Sequence, residues 1–263
     1  MNKFITAIAA TALALGAGAC GEMAGEEAAS IAGTWKANVD SAEFENNVSR
    51  YVLADGEYTC ESCIPPYSVT ANGEWQTIDR PGADGQMIEV VDDFTVKSAA
   101  RRGDKDLGNS TWTVSEDGQS MTVEWTNLDG DEPTSGSTTY ARANAGPEGS
   151  HAVSGGWTVS EIGEMSDAAL TFSYTLDGDQ YGSSGNGDSF TATLGGDPVA
   201  IEGSESNVMV AVEQTGDNSY RETYSRDGEV ISVVDLTIDG DTMSAESTDP
   251  RDGGVVRWTA TRQ

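Results

Sequence analysis

The sequence predicts an all-β fold: two repeated antiparallel barrel or half-barrel units placed after a signal peptide. Three observations carry this. Beyond residue 30, apolar residues alternate with polar ones instead of recurring at helical spacing. Asx-Gly and Gly-Gly pairs punctuate that alternation at short intervals. The pattern of the first half returns in the second.

The alternation is clearest at Met121–Trp125, Thr158–Ser160, Phe190–Leu194, Val208–Val212 and Val230–Ile238, where Thr, Val and aromatic residues share the positions. Period-2 spacing with these residue types marks half-buried strands. The turn pairs are Asp55-Gly56, Asn72-Gly73, Asp84-Gly85, Asp117-Gly118, Asp129-Gly130, Asp177-Gly178, Gly195-Gly196, Asp227-Gly228, Asp239-Gly240 and Asp252-Gly253. They supply the positive φ that two-residue hairpins need, so the chain reads as a meander of hairpins.

The repeat aligns Gly33-Thr34-Trp35 with Gly155-Gly156-Trp157, and Asp55-Gly56 with Asp177-Gly178. It also aligns Tyr67–Gly73 with Phe190–Gly196, Ser115–Val123 with Thr237–Ala245, and the end at Arg142 with that at Arg262. Order is kept throughout, which chance does not produce. The expected organisation is a signal peptide at 1–19, a small acidic tether at 20–31 and β unit 1 at 32–143. A Pro/Gly-rich linker at 144–154 then precedes β unit 2 at 155–263. Two separate barrels and two halves of one larger closed sheet both fit, since either protects the sheet edges.

The opening Gly33-Thr34-Trp35-Lys36, the stretch Asp55 to Pro66 with its Cys pair, the Asn72-Gly73 turn and the late hairpin Asp117 to Val123 carry a family likeness. In these motifs the chain resembles the uncharacterised lipocalin-like secreted proteins and lipoproteins of bacteria, here in tandem duplication. The Gly-x-Trp opening is also similar to that of lipocalins, whose Trp plugs the closed end of a barrel. The resemblance covers unit 1 directly and unit 2 through the internal repeat; unit 2 lacks the Cys pair. It implies a barrel-like fold and a cavity for a small ligand, with no established chemistry.

Residues 1–20 form an address. Lys3 gives a positive start, Phe4 to Ala14 an apolar core of secretory length, and Ala17-Gly18-Ala19-Cys20 resembles a bacterial lipobox with Ala where Leu is usual. Cys20 is the expected lipidation site. Gly21, not Asp, follows it, which resembles outer-membrane sorting. The expected location is the cell envelope, lipid-anchored in the outer membrane and facing the periplasm, with the membrane as partner through the lipid.

Charge removes other classes. Against 14 basic residues stand 44 acidic ones, a formal net charge of −30. Such a surface repels nucleic-acid backbones and anionic headgroups, so no nucleic-acid partner is expected. The acids are spread along both units without a dense run, which reads as solubility and turn chemistry.

Cys60 and Cys63 are the sharpest chemical feature. A redox dithiol wants a helix N-terminus, which Pro65 and Pro66 forbid; a zinc site wants two more ligands, which are missing nearby. In an oxidising compartment the pair reads as a disulfide clasping a loop between strands. The run Asp177 to Asp188 partly fits a calcium loop, but Tyr181 stands where an Asp or Asn is usual, and an acidic hairpin fits better. His151, the single histidine, lies in the expected linker and reads as exposed. Arg101-Arg102 reads as a charged turn. No catalytic residue, metal ligand or cofactor is assigned, and the chain is read as a non-enzyme.

Of the six tryptophans, Trp35 and Trp157 occupy matching positions and read as core. Trp75, Trp112 and Trp125 have no Trp counterpart in unit 2 and are the candidates for facing a ligand. The expected function is a binding module for a small apolar ligand. The alternative is an interaction or structural lipoprotein with side-chain-filled units; a partner protein is not identified.

Overall fold

The structure, a computed structural model, describes residues 30–203 and 205–263. Cys20, the expected signal peptide and most of the expected tether lie outside the described residues. In chain order the first strands are β1 (Gly33–Glu45), β2 (Val48–Ala54), β3 (Glu57–Cys60), β4 (Tyr67–Thr70), β5 (Gln76–Arg80), β6 (Ala83–Val90), β7 (Thr95–Arg102), β8 (Lys105–Val114), β9 (Ser120–Asn127), β10 (Thr134–Ala145) and β11 (Gly155–Met165). After one helical turn, α1 (Asp167–Leu170), follow β12 (Thr171–Asp177), β13 (Gln180–Gly185), β14 (Asp188–Thr193), β15 (Val199–Ala200), β16 (Val208–Gly216), β17 (Ser219–Arg226), β18 (Glu229–Asp239), β19 (Thr242–Asp249) and β20 (Gly254–Arg262).

These strands form two ten-stranded antiparallel sheets, which settles the choice between two barrels and one. Barrel 1 runs β4-β3-β2-β11-β10-β9-β8-β7-β6-β5; barrel 2 runs β14-β13-β12-β1-β20-β19-β18-β17-β16-β15. Each is nearly closed. Across the seam of barrel 1 the Gly73 amide donates to the Ile88 carbonyl at 2.8 Å; in barrel 2 Gly195 donates to Val212 at the same distance. Ser189 and Glu202 exchange two further bonds across the second seam.

The barrels are not the contiguous halves 32–143 and 155–263. Barrel 1 is the unbroken run β2 to β11, closed by the Trp157 strand that the repeat assigns to unit 2. Barrel 2 takes its tenth strand, β1, from the front of the chain. Each Gly-x-Trp strand thus completes the sheet built mainly from the other half of the sequence. β10 and β11 pair antiparallel across one connection, whereas β1 and β2, adjacent in the chain, belong to different sheets. The stretch 144–154 is therefore that connection, not a linker. Within it Val153 is fully buried, and the Ser154 hydroxyl accepts from the Leu53 amide at 2.9 Å. His151 is also held, its Nε2 lying 2.6 Å from the Asp92 carbonyl.

Both closed ends are built the same way. Trp157 is fully buried and its indole N–H donates to the Val153 carbonyl at 2.9 Å; Trp35 donates to Ile31 at 2.8 Å. Arg142 lies over the Trp157 ring at 4.0 Å and Arg262 over Trp35 at 4.2 Å. Each guanidinium also donates to the carbonyls just before its tryptophan strand, Ala152 and Ser154 in one barrel, Ser30 and Ala32 in the other. This explains the glycine of the motif: a Cβ on Gly33 would stand 2.6 Å from Arg262 Nη1, and its φ of +136° suits glycine alone. Ile31, the last residue of the expected tether, is fully buried and belongs to the plug of barrel 2.

Hairpins form at Asp55-Gly56 and Asp227-Gly228 with both φ values positive. Asp84-Gly85 is not a turn. It lies inside β6, where the Asp84 carboxylate accepts the Gly103 amide and Gly85 makes room for the Arg101 side chain. The turn sits at Pro81-Gly82 instead.

Candidate functional site

Equivalent hydrogen bonds align the two interiors residue by residue. The Val114 amide donates to Phe94 as Ile238 donates to Asn218, both at 2.9 Å. Trp112 therefore corresponds to Leu236. With Ile88 matching Val212 at the seam, the pairs Ile88–Ser98 and Gln86–Ala100 correspond to Val212–Glu222 and Val210–Tyr224. The hairpin register Tyr51–Cys60–Tyr67 corresponds to Tyr174–Ser183–Phe190.

At the closed end the interiors are alike and filled. In barrel 1 Leu53, Ile88, Val96, Val114, Met121 and Tyr140 are all buried. Toward the other end they diverge. Tyr51, Tyr67, Trp112 and Trp125 of barrel 1 are packed on the core yet only partly buried. The counterparts of the first three, Tyr174, Phe190 and Leu236, are 7, 8 and 1 % exposed, whereas Trp125 corresponds to the partly exposed Ser247. The difference traces to β7 and β17. Barrel 2 places Glu222 and Tyr224 in its interior where barrel 1 has only Ser98 and Ala100. At these two positions barrel 2 carries large side chains and barrel 1 small ones, and Tyr224 is itself partly buried.

Those walls are ordered. The Tyr51 and Trp112 rings lie 4.9 Å apart, and Tyr58 stands edge-on to Trp112 at 6.0 Å. The Trp112 indole N–H donates to Ser110 Oγ at 2.7 Å, which fixes the ring. Trp125 shares the inward face of β9 with Met121 and Val123 and packs over Gly136, where a Cβ would stand 2.7 Å from its ring. Of the three tryptophans proposed from sequence, the structure brings Trp112 and Trp125 to the same interior. Trp75 stands apart: it precedes β5, and its ring carries the Arg101 guanidinium at 4.6 Å on the side of β6 opposite the buried Gln86.

Two polar groups stand beside Tyr67. Gln86, 4 % exposed, donates through Nε2 to Ser98 Oγ and the Ala99 carbonyl, each at 2.9 Å, and accepts from the Tyr67 hydroxyl at 3.2 Å. Arg80, partly buried at the end of β5, lies with its guanidinium 4.6 Å from the Tyr67 ring centre and hydrogen-bonds the Tyr67 hydroxyl. Burial raises the Tyr67 hydroxyl pKa, and the Arg80 charge pulls against that rise.

The Cys60–Cys63 disulfide is formed and clasps the loop between β3 and β4, beside Tyr67. The Glu61 amide donates to the Arg50 carbonyl at 3.0 Å, which ties the same loop to β2.

In barrel 2 the central feature is Glu222, 2 % exposed. It accepts from the Tyr181 hydroxyl at 2.7 Å and from Tyr224 at 2.6 Å, and Tyr174 also bonds to it. Desolvation raises its pKa, partly opposed by these three hydroxyls. Tyr181 is raised well above its ordinary value by burial and by the neighbouring carboxylate. The run Asp177 to Asp188 comprises the end of β12, a turn, all of β13, a second turn and the start of β14, with Tyr181 fully buried.

Sequence reasoning missed Arg80, Gln86 and Glu222. The signal was present in the alternation: Glu222 shares a strand face with Tyr220 and Tyr224, and Arg80 with Ile78. A charged residue on an apolar face is the informative exception. No protein-family model, curated protein or solved structure matches this chain.

Proposed function

We propose that this is a non-enzymatic, lipocalin-like envelope lipoprotein in which barrel 1 is the binding cup and barrel 2 a filled structural unit. One observation supports this above the others: Tyr51, Tyr67 and Trp112 of barrel 1 stay partly exposed where their barrel 2 counterparts Tyr174, Phe190 and Leu236 are buried. A small apolar ligand seated against Tyr51, Trp112 and Trp125 would complete their burial, each methylene contributing about 0.8 kcal/mol. Cys20 carries the lipid that holds the chain to the outer membrane on this reading, with tandem duplication as the origin of the two barrels.

The test is titration of the mature chain with the neutral fluorophore N-phenyl-1-naphthylamine. The reading expects saturable binding of one molecule per chain, lost in Ala100→Tyr, which places in barrel 1 the side chain that fills barrel 2. No saturable binding, or binding unaffected by Ala100→Tyr in a normally folded variant, contradicts it. Anchoring is tested separately: the mature N-terminus should begin at an acylated Cys20, and Cys20→Ser should release the protein from membranes.

A further inference from the structure

We infer that the tip of the β6–β7 hairpin is a docking knob for a basic amphipathic segment of another protein; it stands apart from the reading of barrel 1 as a cup. Among the described residues, the large hydrophobic side chains that stand exposed are Val90, Val91 and Phe94, at 42, 47 and 39 %, and all three lie on this one tip. Single exposed apolar residues need no explanation, but three gathered on one turn mark a contact surface.

The hairpin itself does not require them. With Ile88 matching Val212 and Phe94 matching Asn218, the same tip of barrel 2 places Gln214, Thr215 and Asn218 where barrel 1 has Val90, Val91 and Phe94. The β16–β17 hairpin forms with those polar residues. The tip of barrel 1 is also held in shape. The Asp92 carboxylate accepts the Phe94 amide at 2.9 Å, the Val91 amide donates to the Thr95 carbonyl at 2.9 Å, and the Phe94 carbonyl accepts the Val114 amide at the same distance. His151, from the β10–β11 connection, braces it with Nε2 2.6 Å from the Asp92 carbonyl. An apolar knob fixed in advance loses little freedom on docking.

Charge defines the partner. Asp92 and Asp93 sit within the tip, and Glu116 and Asp117 on the adjoining β8–β9 turn; all four are exposed. Lys97, the first cation beyond the tip on β7, stands opposite Glu89 across the hairpin. An acidic rim repels anionic headgroups and a second copy of a chain at −30, and it attracts Lys and Arg. A basic amphipathic segment fits: its apolar side chains cover Phe94 and the valines while its cations meet the rim.

The test uses the mature chain with Cys20→Ser, so that no acyl chain competes, at physiological salt. The probe is a helical peptide of repeat Leu-Lys-Lys-Leu-Leu-Lys-Leu. Titration calorimetry should show saturable binding, weakened at least about tenfold when Gln replaces Lys in the peptide. Val90→Gln with Val91→Thr and Phe94→Asn keeps the charge and copies residues that the barrel 2 hairpin already carries. This variant should keep the wild-type far-ultraviolet spectrum and bind the Leu/Lys peptide at least about tenfold more weakly. Equal affinity in wild type and variant assigns binding to the acidic surface alone and overturns the inference, as does a Leu/Lys peptide that never binds. Equal binding of the Leu/Gln peptide removes the basic character of the partner and overturns it too. Tip-dependent binding to vesicles of pure phosphatidylcholine, or a dimer in sedimentation that the variant abolishes, gives the tip to lipid or to a second copy and also overturns it.

Discussion

Barrel 1 and barrel 2 share a plug and diverge above it. In each, a buried tryptophan, an arginine stacked on its ring and the carbonyls before the tryptophan strand lock one end. In barrel 2 a carboxylate and three tyrosine hydroxyls occupy the middle; in barrel 1 the equivalent strand carries Ser98 and Ala100, and the aromatic walls stay partly exposed. The two barrels thus differ at two inward positions of one strand and in how far the aromatic side chains near them are covered.

The barrels also differ in how they are closed, and the largest expected effect tests this. Barrel 1 is one continuous run, whereas barrel 2 depends on β1 from the front of the chain. Trp35→Ala should destabilise barrel 2 by about 3–5 kcal/mol and Trp157→Ala should do the same to barrel 1. Calorimetry should show one transition move in each variant. Movement of both transitions together would mean that the two barrels unfold as one unit.

Next in size is the pH response of barrel 2. Glu222 has its folded pKa raised, so folding favours its protonated form. Its contribution is present below the ordinary glutamate value of about 4.3 and is lost as pH rises through the raised value. Glu222→Gln should therefore flatten the decline in barrel 2 stability above pH 4 and leave barrel 1 unchanged. An identical pH dependence in wild type and variant would show that the carboxylate is ionised at little cost.

The smallest effect concerns Cys60 and Cys63. The bridge closes a very short loop, and the chain-entropy model gives about 2 kcal/mol or less. Backbone bonds from Glu61 already hold the loop, so Cys60→Ser with Cys63→Ser should shift the melting of barrel 1 by a few degrees only. Titration of the denatured, unreduced chain should find neither thiol. Two reactive thiols there would remove the clasp.

Much of this fold was legible because its causes are local. Alternation at Val208–Val212 and positive-φ pairs such as Asp227-Gly228 act over a few residues, and the structure uses them as read. Pairing partners were harder, because nothing within Gly33–Glu45 says which β-edge it will join: β1 passes over β2, its neighbour in the chain, and pairs with β12 and β20. Asp84-Gly85 misled for a related reason, since Gly85 serves the approach of Arg101 and not a turn. In the interior, Trp112 and Trp125 stood out by lacking counterparts, but so did Trp75, which packs with Arg101 elsewhere. Arg80 and Glu222 hid in plain alternation, where a charge on an apolar face is the mark to look for.

The central claim, an open barrel 1 beside a filled barrel 2, is tested most directly by a crystal of the mature chain soaked with 12-bromododecanol. Anomalous bromine density should appear once per chain, inside barrel 1 among Tyr51, Trp112 and Trp125. Bromine inside barrel 2, or none in barrel 1 at saturating alcohol, would contradict the account.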